Sequence, residues 1–245
     1  MIKLFYVVGD SFVFGQEMGP PISPHNLHTF DFYKRRHCYS GIMSDTLKIE
    51  NYMNSGSPAA SNERSYRMLI TDISKKLLTF KPEEIFVNVS LTSSTRREFC
   101  INDRGDYYLH MFTWEPPAKD NKCVNDLWNI LSKDFNFDIG HETYDIMMVL
   151  AIQNFLRINK IPYLISSALC TPIKFELQKK YVPSILLDQI YSRRYYTKPS
   201  FTEFTSDNKY KRGPGGHPLE EAHAGWAAHL LNHINQNNLF DNSDL

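Results

Sequence analysis

Lys3-Leu4-Phe5-Tyr6-Val7-Val8 runs directly into Gly9-Asp10-Ser11-Phe12, with Gly15 close behind. The stretch before Gly9 is almost continuously apolar and rich in β-formers, as in a parallel strand covered on both faces. The glycine permits a tight turn, and a serine straight after a buried strand stands exposed at the sheet edge. A helix starting there would bring backbone N–H groups near the serine oxygen. Open α/β sheets place ligand sites at the carboxyl ends of their strands, so Ser11 is the first candidate for chemistry.

The pattern continues along the chain. The polar stretch to Ser40, with Pro20, Pro21 and Pro24, reads as partly loop. A second strand is predicted from Thr46 to Tyr52, then a turn from Asn54 to Ala60. Ser61 or Asn62 can cap a helix from Glu63 to Leu78, in which Tyr66, Leu69, Ile70 and Ile73 repeat at helical spacing. Ile85 to Leu91 and Tyr163 to Leu169 read as further buried strands. Helices are predicted over residues 125–134, 141–159, 183–191 and 218–235. Residues 92–123 are aromatic, charged and proline-marked, and read as an excursion above the sheet. Their aromatic run from Asp106 to Trp114 reads either as a wall over the site or as a pin to the core. The tail from Asn235 reads as frayed.

Strands alternating with helices predict an α/β chain with a mostly parallel sheet. The 245 residues suit a single domain, 1–245, with the excursion at about 92–123.

Composition excludes several functions. Basic and acidic residues cancel at 27 each, so nothing drives the chain toward nucleic acid. Lys34-Arg35-Arg36 and Arg193-Arg194 read as solvated surface. The apolar start is too short for a signal peptide or a membrane span, which predicts a cytoplasmic protein without a membrane partner. Cys38, Cys100, Cys123 and Cys170 are scattered and read as free thiols. No P-loop, GxGxxG or HExxH is present, so neither a cofactor nor a metal is predicted. His223, His229 and His233 read as packing or surface histidines. The bias toward Asn, Lys, Ile and Tyr suits a low-GC genome or a virus of one.

A second chemical segment is Gly213-Pro214-Gly215-Gly216-His217-Pro218, which opens the last helix. A histidine in a glycine-rich loop at that place can reach the top of the first strand. A serine beside a histidine is the pairing that activates a hydroxyl nucleophile.

GDSF after the first strand, a turn resembling N-x-x-x-P-x-x-S-N, and HP before the last helix together resemble the SGNH (GDSL-like) hydrolase family. The resemblance spans residues 9–218. It implies a flavodoxin-like three-layer α/β/α sandwich, with Ser11 as nucleophile and His217 as base. It implies that Asp10 supports the turn around Ser11. It makes the Ser11 N–H one oxyanion donor and aligns Ala59 with the family's oxyanion glycine. An alanine N–H serves there if its φ is negative, and Gly56 lies three residues earlier. Thr92 falls where the family has an asparagine, and its hydroxyl can donate one hydrogen bond. Arg96 can add positive charge nearby.

The family's D-x-x-H is absent, because Pro214 occupies the aspartate's place. A backbone carbonyl is then the expected partner of His217, giving a Ser–His dyad. Asp207 is the nearest upstream acid and the other candidate. The implied activity is hydrolysis of a small ester, such as an O-acetyl group on a carbohydrate. The alternatives are an O-acyltransferase using the same site, or a degenerate fold kept as a binding or structural module. The sequence does not specify an oligomeric state.

Overall fold

The computed structural model describes residues 1–19, 33, 36–93, 96–100, 108–112, 125–126, 129, 137–169, 184–196, 199–243 and 245, with backbone alone for 99–100, 108–112 and 137–142. The central sheet has four parallel strands in the order β2-β1-β3-β6. They are β1 (Leu4–Val8), β2 (Asn51–Asn54), β3 (Ile85–Leu91) and β6 (Tyr163–Ser167). Tyr195 adds a parallel bridge to Ile165 beyond β6. A separate antiparallel hairpin pairs β4 (Arg96–Cys100) with β5 (Tyr108–Phe112).

Side chains alternate across β1. Leu4, Tyr6 and Val8 join one buried cluster; Phe5 and Val7 join the other. The first cluster packs under α3 (Asn62–Lys76) and α4 (Phe137–Ile158) through Leu69, Ile73, Val149 and Ile152. The second packs under α2 (Tyr39–Thr46) and α7 (Glu220–Gln236) through Tyr39, Met43, Trp226 and Leu230. Two more helices, α5 (Ser184–Leu187) and α6 (Phe201–Asp207), are short. The sheet is parallel, as the alternation predicts, and the helices on both faces make the three-layer α/β/α sandwich that the resemblance implies. Because β1 lies between β2 and β3, the chain reverses direction across the sheet at β1. The crevice at that switch point is the usual ligand site of such sheets.

Several local expectations differ from the structure. The segment predicted as a strand from Thr46 splits into the end of α2 and a later β2. Tyr39, Ser40, Met43 and Ser44 are buried at helical spacing, and α2 forms over a segment, 41–45, for which no element was expected, together with the end of the expected loop. Helix α6 was missed, although Ser200 and Glu203 form a full capping box at its start. Arg194 is not solvated surface. It is fully buried and donates to the carbonyls of Tyr163 (3.3 Å) and Leu239 (3.0 Å). Arg193 donates to Asn237 and Asn238. These bonds hold the tail expected to fray, and Leu239 is buried. Of the two expected caps, Ser61 is the one that serves α3, accepting the Arg64 N–H. The hairpin occupies part of the excursion. The Asp106–Trp114 side chains, Pro20 to Pro24, Lys34, Arg35, Cys123, Cys170 and most of the 125–134 helix lie outside the described residues.

Candidate active site

Ser11 opens α1 (Ser11–Phe14), a single turn at the carboxyl end of β1. Asp10 is the cap. Its Oδ1 accepts the Phe12 N–H at 2.9 Å, which satisfies one of the free donors at a helix start. Its Oδ2 accepts the Thr92 hydroxyl at 2.8 Å and faces the Arg96 guanidinium at 3.3 Å. Asp10 is fully buried. Burial pushes its carboxyl above the ordinary value, against Arg96, the Phe12 N–H and the Thr92 hydroxyl. These contacts tie Asp10 to the start of α1, to Thr92 and to Arg96.

The same contacts change the reading of Thr92 and Arg96. A hydroxyl has one proton, and that of Thr92 goes to Asp10. In this arrangement it does not serve as the expected oxyanion donor. Arg96 is directed at Asp10 and has little exposed side chain. Thr92 is fixed by a reciprocal pair with Asn62. Its N–H donates to Asn62 Oδ1 at 2.9 Å, and its carbonyl accepts Asn62 Nδ2 at 3.1 Å.

The 54–62 turn crosses beside α1. Gly56 donates its N–H to Asn54 Oδ1 at 2.9 Å. A Cβ on Gly56 would lie 2.7 Å from the Phe14 nitrogen and 2.8 Å from a Val13 methyl. The glycine therefore lets the turn approach the helix that carries Ser11. Ala59 has φ +60, the left-handed conformation that favours glycine. This is not the negative φ expected for alanine here. Among the described residues, neither the Ser11 nor the Ala59 N–H is hydrogen-bonded.

His217 lies beside this helix, its ring 5.6 Å from that of Phe12. The partner of its Nδ1 is neither a backbone carbonyl nor Asp207. Asp207 is exposed at the end of α6. The group is Glu17, whose Oε2 lies 2.9 Å from His217 Nδ1 and accepts the His217 N–H at 3.1 Å. Glu17 Oε1 accepts the Gly215 N–H. Burial alone would push the Glu17 carboxyl up; the two backbone N–H groups and the imidazole outweigh it and hold the carboxyl below its ordinary value. With Nδ1 facing a carboxylate, a neutral imidazole carries its proton on Nδ1 and leaves Nε2 as the acceptor. Among the described residues no hydrogen bond joins Ser11 to His217. Such bonds commonly tighten only in the complex with substrate.

Glu17 follows α1 closely. Gly15 ends the helix at φ 76, Gln16 donates to the Ser11 carbonyl, and Glu17 itself takes φ +66. A sequence signal for it existed in the glycine-rich loop. A Cβ at Gly213 would lie 2.6 Å from Glu17 Oε2, and one at Gly215 2.9 Å from Oε1. These glycines make room for a carboxylate as well as for a turn.

Residues 24–244 match the family described as "Family of unknown function (DUF6071)". The chain belongs to that family. The matched segment contains Thr92 and His217 but begins after Ser11 and Glu17. No curated protein matches the chain. Among solved structures, this DUF6071 member is similar to an acetyl xylan esterase, Est2A, from the rumen bacterium Butyrivibrio proteoclasticus. The TM-score is 0.50 at 12% identity, over 98% of this chain and 65% of the other. It is also similar to a carbohydrate esterase whose active site displays divergent catalytic and non-catalytic binding functions. There the TM-score is 0.51 at 11% identity, over 98% of this chain and 67% of that one. A protein from Desulfitobacterium hafniense, described as lipolytic and of the G-D-S-L family, matches at 0.48 and 12% over 94% and 99%. The first two likenesses speak to the α/β fold alone. Among the described residues, no helix of this DUF6071 chain is long and apolar enough to cross a membrane.

Proposed function

We propose that this chain is a serine hydrolase of SGNH type, built as one domain, that cleaves a small ester through a Ser11–His217–Glu17 triad. The observation that carries the reading is the His217 Nδ1–Glu17 Oε2 contact of 2.9 Å beside the helix that begins at Ser11. A carboxylate on one imidazole nitrogen fixes the tautomer that makes the other a base.

In this reading His217 Nε2 takes the Ser11 hydroxyl proton as Ser11 Oγ attacks the acyl carbon. The carbonyl oxygen becomes an oxyanion, met by the N–H of Ser11. The intermediate collapses, the ester C–O bond breaks, and the departing alkoxide takes the proton from His217. A water molecule then attacks the acyl-enzyme with His217 again as base, releasing the acid and restoring Ser11. Glu17 stabilises the imidazolium formed in each half. Asp10 supports the turn, and Thr92 and Arg96 act on Asp10 and not on the oxyanion.

An O-acetyl group on a carbohydrate is the substrate class we favour, supported by the fold shared with an acetyl xylan esterase. The test is labelling by a fluorophosphonate probe, which reacts with activated serines. Wild type should label at Ser11 and Ser11→Ala should not. Equal labelling of the two would remove Ser11 as the nucleophile.

A further inference from the structure

The strand β4 is seated by charge. Glu98 takes Arg67 in a bidentate pair, Nε at 3.0 Å and Nη2 at 2.8 Å. Arg97 meets Glu63 at 3.5 Å and stacks on the Tyr144 ring at 4.0 Å. Arg96 reaches inward to the buried Asp10. The hairpin thus delivers a cation beneath the nucleophile turn, which belongs to a different part of the chain.

We propose that Arg96 is a positioning residue for Ser11, acting through Asp10: it keeps Asp10 a carboxylate, and that carboxylate holds the helix that carries the serine. The inference rests on the serine-hydrolase reading above. Three donors converge on Asp10, from Phe12, Thr92 and Arg96. An ionised carboxylate accepts all three. A protonated one carries a donor of its own, so one of the three must lose its acceptor or turn away. An isolated charge in a fully buried place neutralises itself by taking a proton, so the cation decides which form Asp10 takes.

Burial raises the Asp10 carboxyl, and Arg96 is the largest influence against it. The other titratable groups acting on Asp10 are His217, from the loop before α7, and Tyr39 on α2. A protonated His217 also favours the carboxylate. Tyr39 is kept neutral by its own burial. Removing Arg96 therefore raises Asp10 further, and the turn loses its carboxylate at a higher pH than in wild type.

The experiment is the rate of fluorophosphonate labelling at Ser11 from about pH 5 to about pH 9. In Arg96→Gln the acid limb should move to higher pH, with about tenfold slower labelling at the acid end for each unit moved. Arg96→Lys keeps a cation there and should restore the wild-type limb. Arg96→Gln with Asp10→Asn should lose the added limb, because nothing at position 10 then titrates. An unmoved limb in Arg96→Gln overturns the role of Arg96, while wild-type labelling leaves the nucleophile assignment standing. Absence of labelling in wild type sinks both. If circular dichroism shows that Arg96→Gln does not fold, the double variant should fold, since it buries no lone charge. A double variant that also fails to fold overturns the proposal.

Discussion

The Glu17 carboxylate lies 2.9 Å from His217 Nδ1, although the two residues are 200 positions apart. One comes just after the first turn of helix, the other just before the last helix. The same carboxylate ties down the Gly215 and His217 backbone N–H groups. It therefore locks the loop as well as the ring.

If Glu17 orients His217, Glu17→Gln should reduce ester turnover by roughly 10²–10⁴-fold, because the imidazole loses its fixed tautomer and its counter-charge. Asp207→Ala should leave turnover unchanged, since Asp207 is exposed at the end of α6. Steady-state rates on a p-nitrophenyl acetate substrate separate the two. Equal losses in both variants would return the orienting role to open ground.

Ala59 pays a local strain for its φ of +60. A left-handed alanine costs roughly 1–2 kcal/mol, which glycine escapes at some entropic cost in the unfolded chain. Ala59→Gly should therefore raise the urea midpoint by an amount worth about 0.5–1 kcal/mol. Labelling at Ser11 should persist, because the N–H is the same.

Gly56→Ala should act in the opposite sense. Its Cβ would lie 2.7 Å from the Phe14 nitrogen, which is backbone and cannot swing aside. The turn must retreat from α1, at a cost of about 1–3 kcal/mol. Thermal unfolding should show the loss of stability, and Ser11 labelling should slow with it.

His223 is buried under α2, and its Nδ1 accepts the Tyr39 N–H at 3.0 Å. Burial pushes its pKa down to about 3, from an ordinary value of 6.5. In that window the unfolded chain takes up a proton that the folded chain refuses. This contribution to stability is whole above about pH 6.5 and is lost toward pH 3, by about 1.4 kcal/mol per pH unit. In His223→Asn the amide oxygen can accept the same N–H, and the slope should flatten. Urea midpoints measured from neutral to acid pH give the comparison.

Three of the four sheet strands, the place of Ser11 after the first of them and the placing of His217 in a glycine-rich loop before the last helix were legible in the sequence. These follow from local pattern: an apolar run of β-formers, a glycine turn, a capping serine at position 61, a helical repeat. Burial of one face or two writes itself into the residues of each element. Which polar groups meet depends on how the elements pack together. Glu17 pairs with His217, Arg96 and Thr92 close on Asp10, and Arg194 holds the tail. Each is a contact between distant segments, formed by folding them onto one another, and the spacing of residues along the chain carries no mark of it. The glycines of the 213–216 loop came nearest to recording one, since the room they leave is filled by the Glu17 carboxylate.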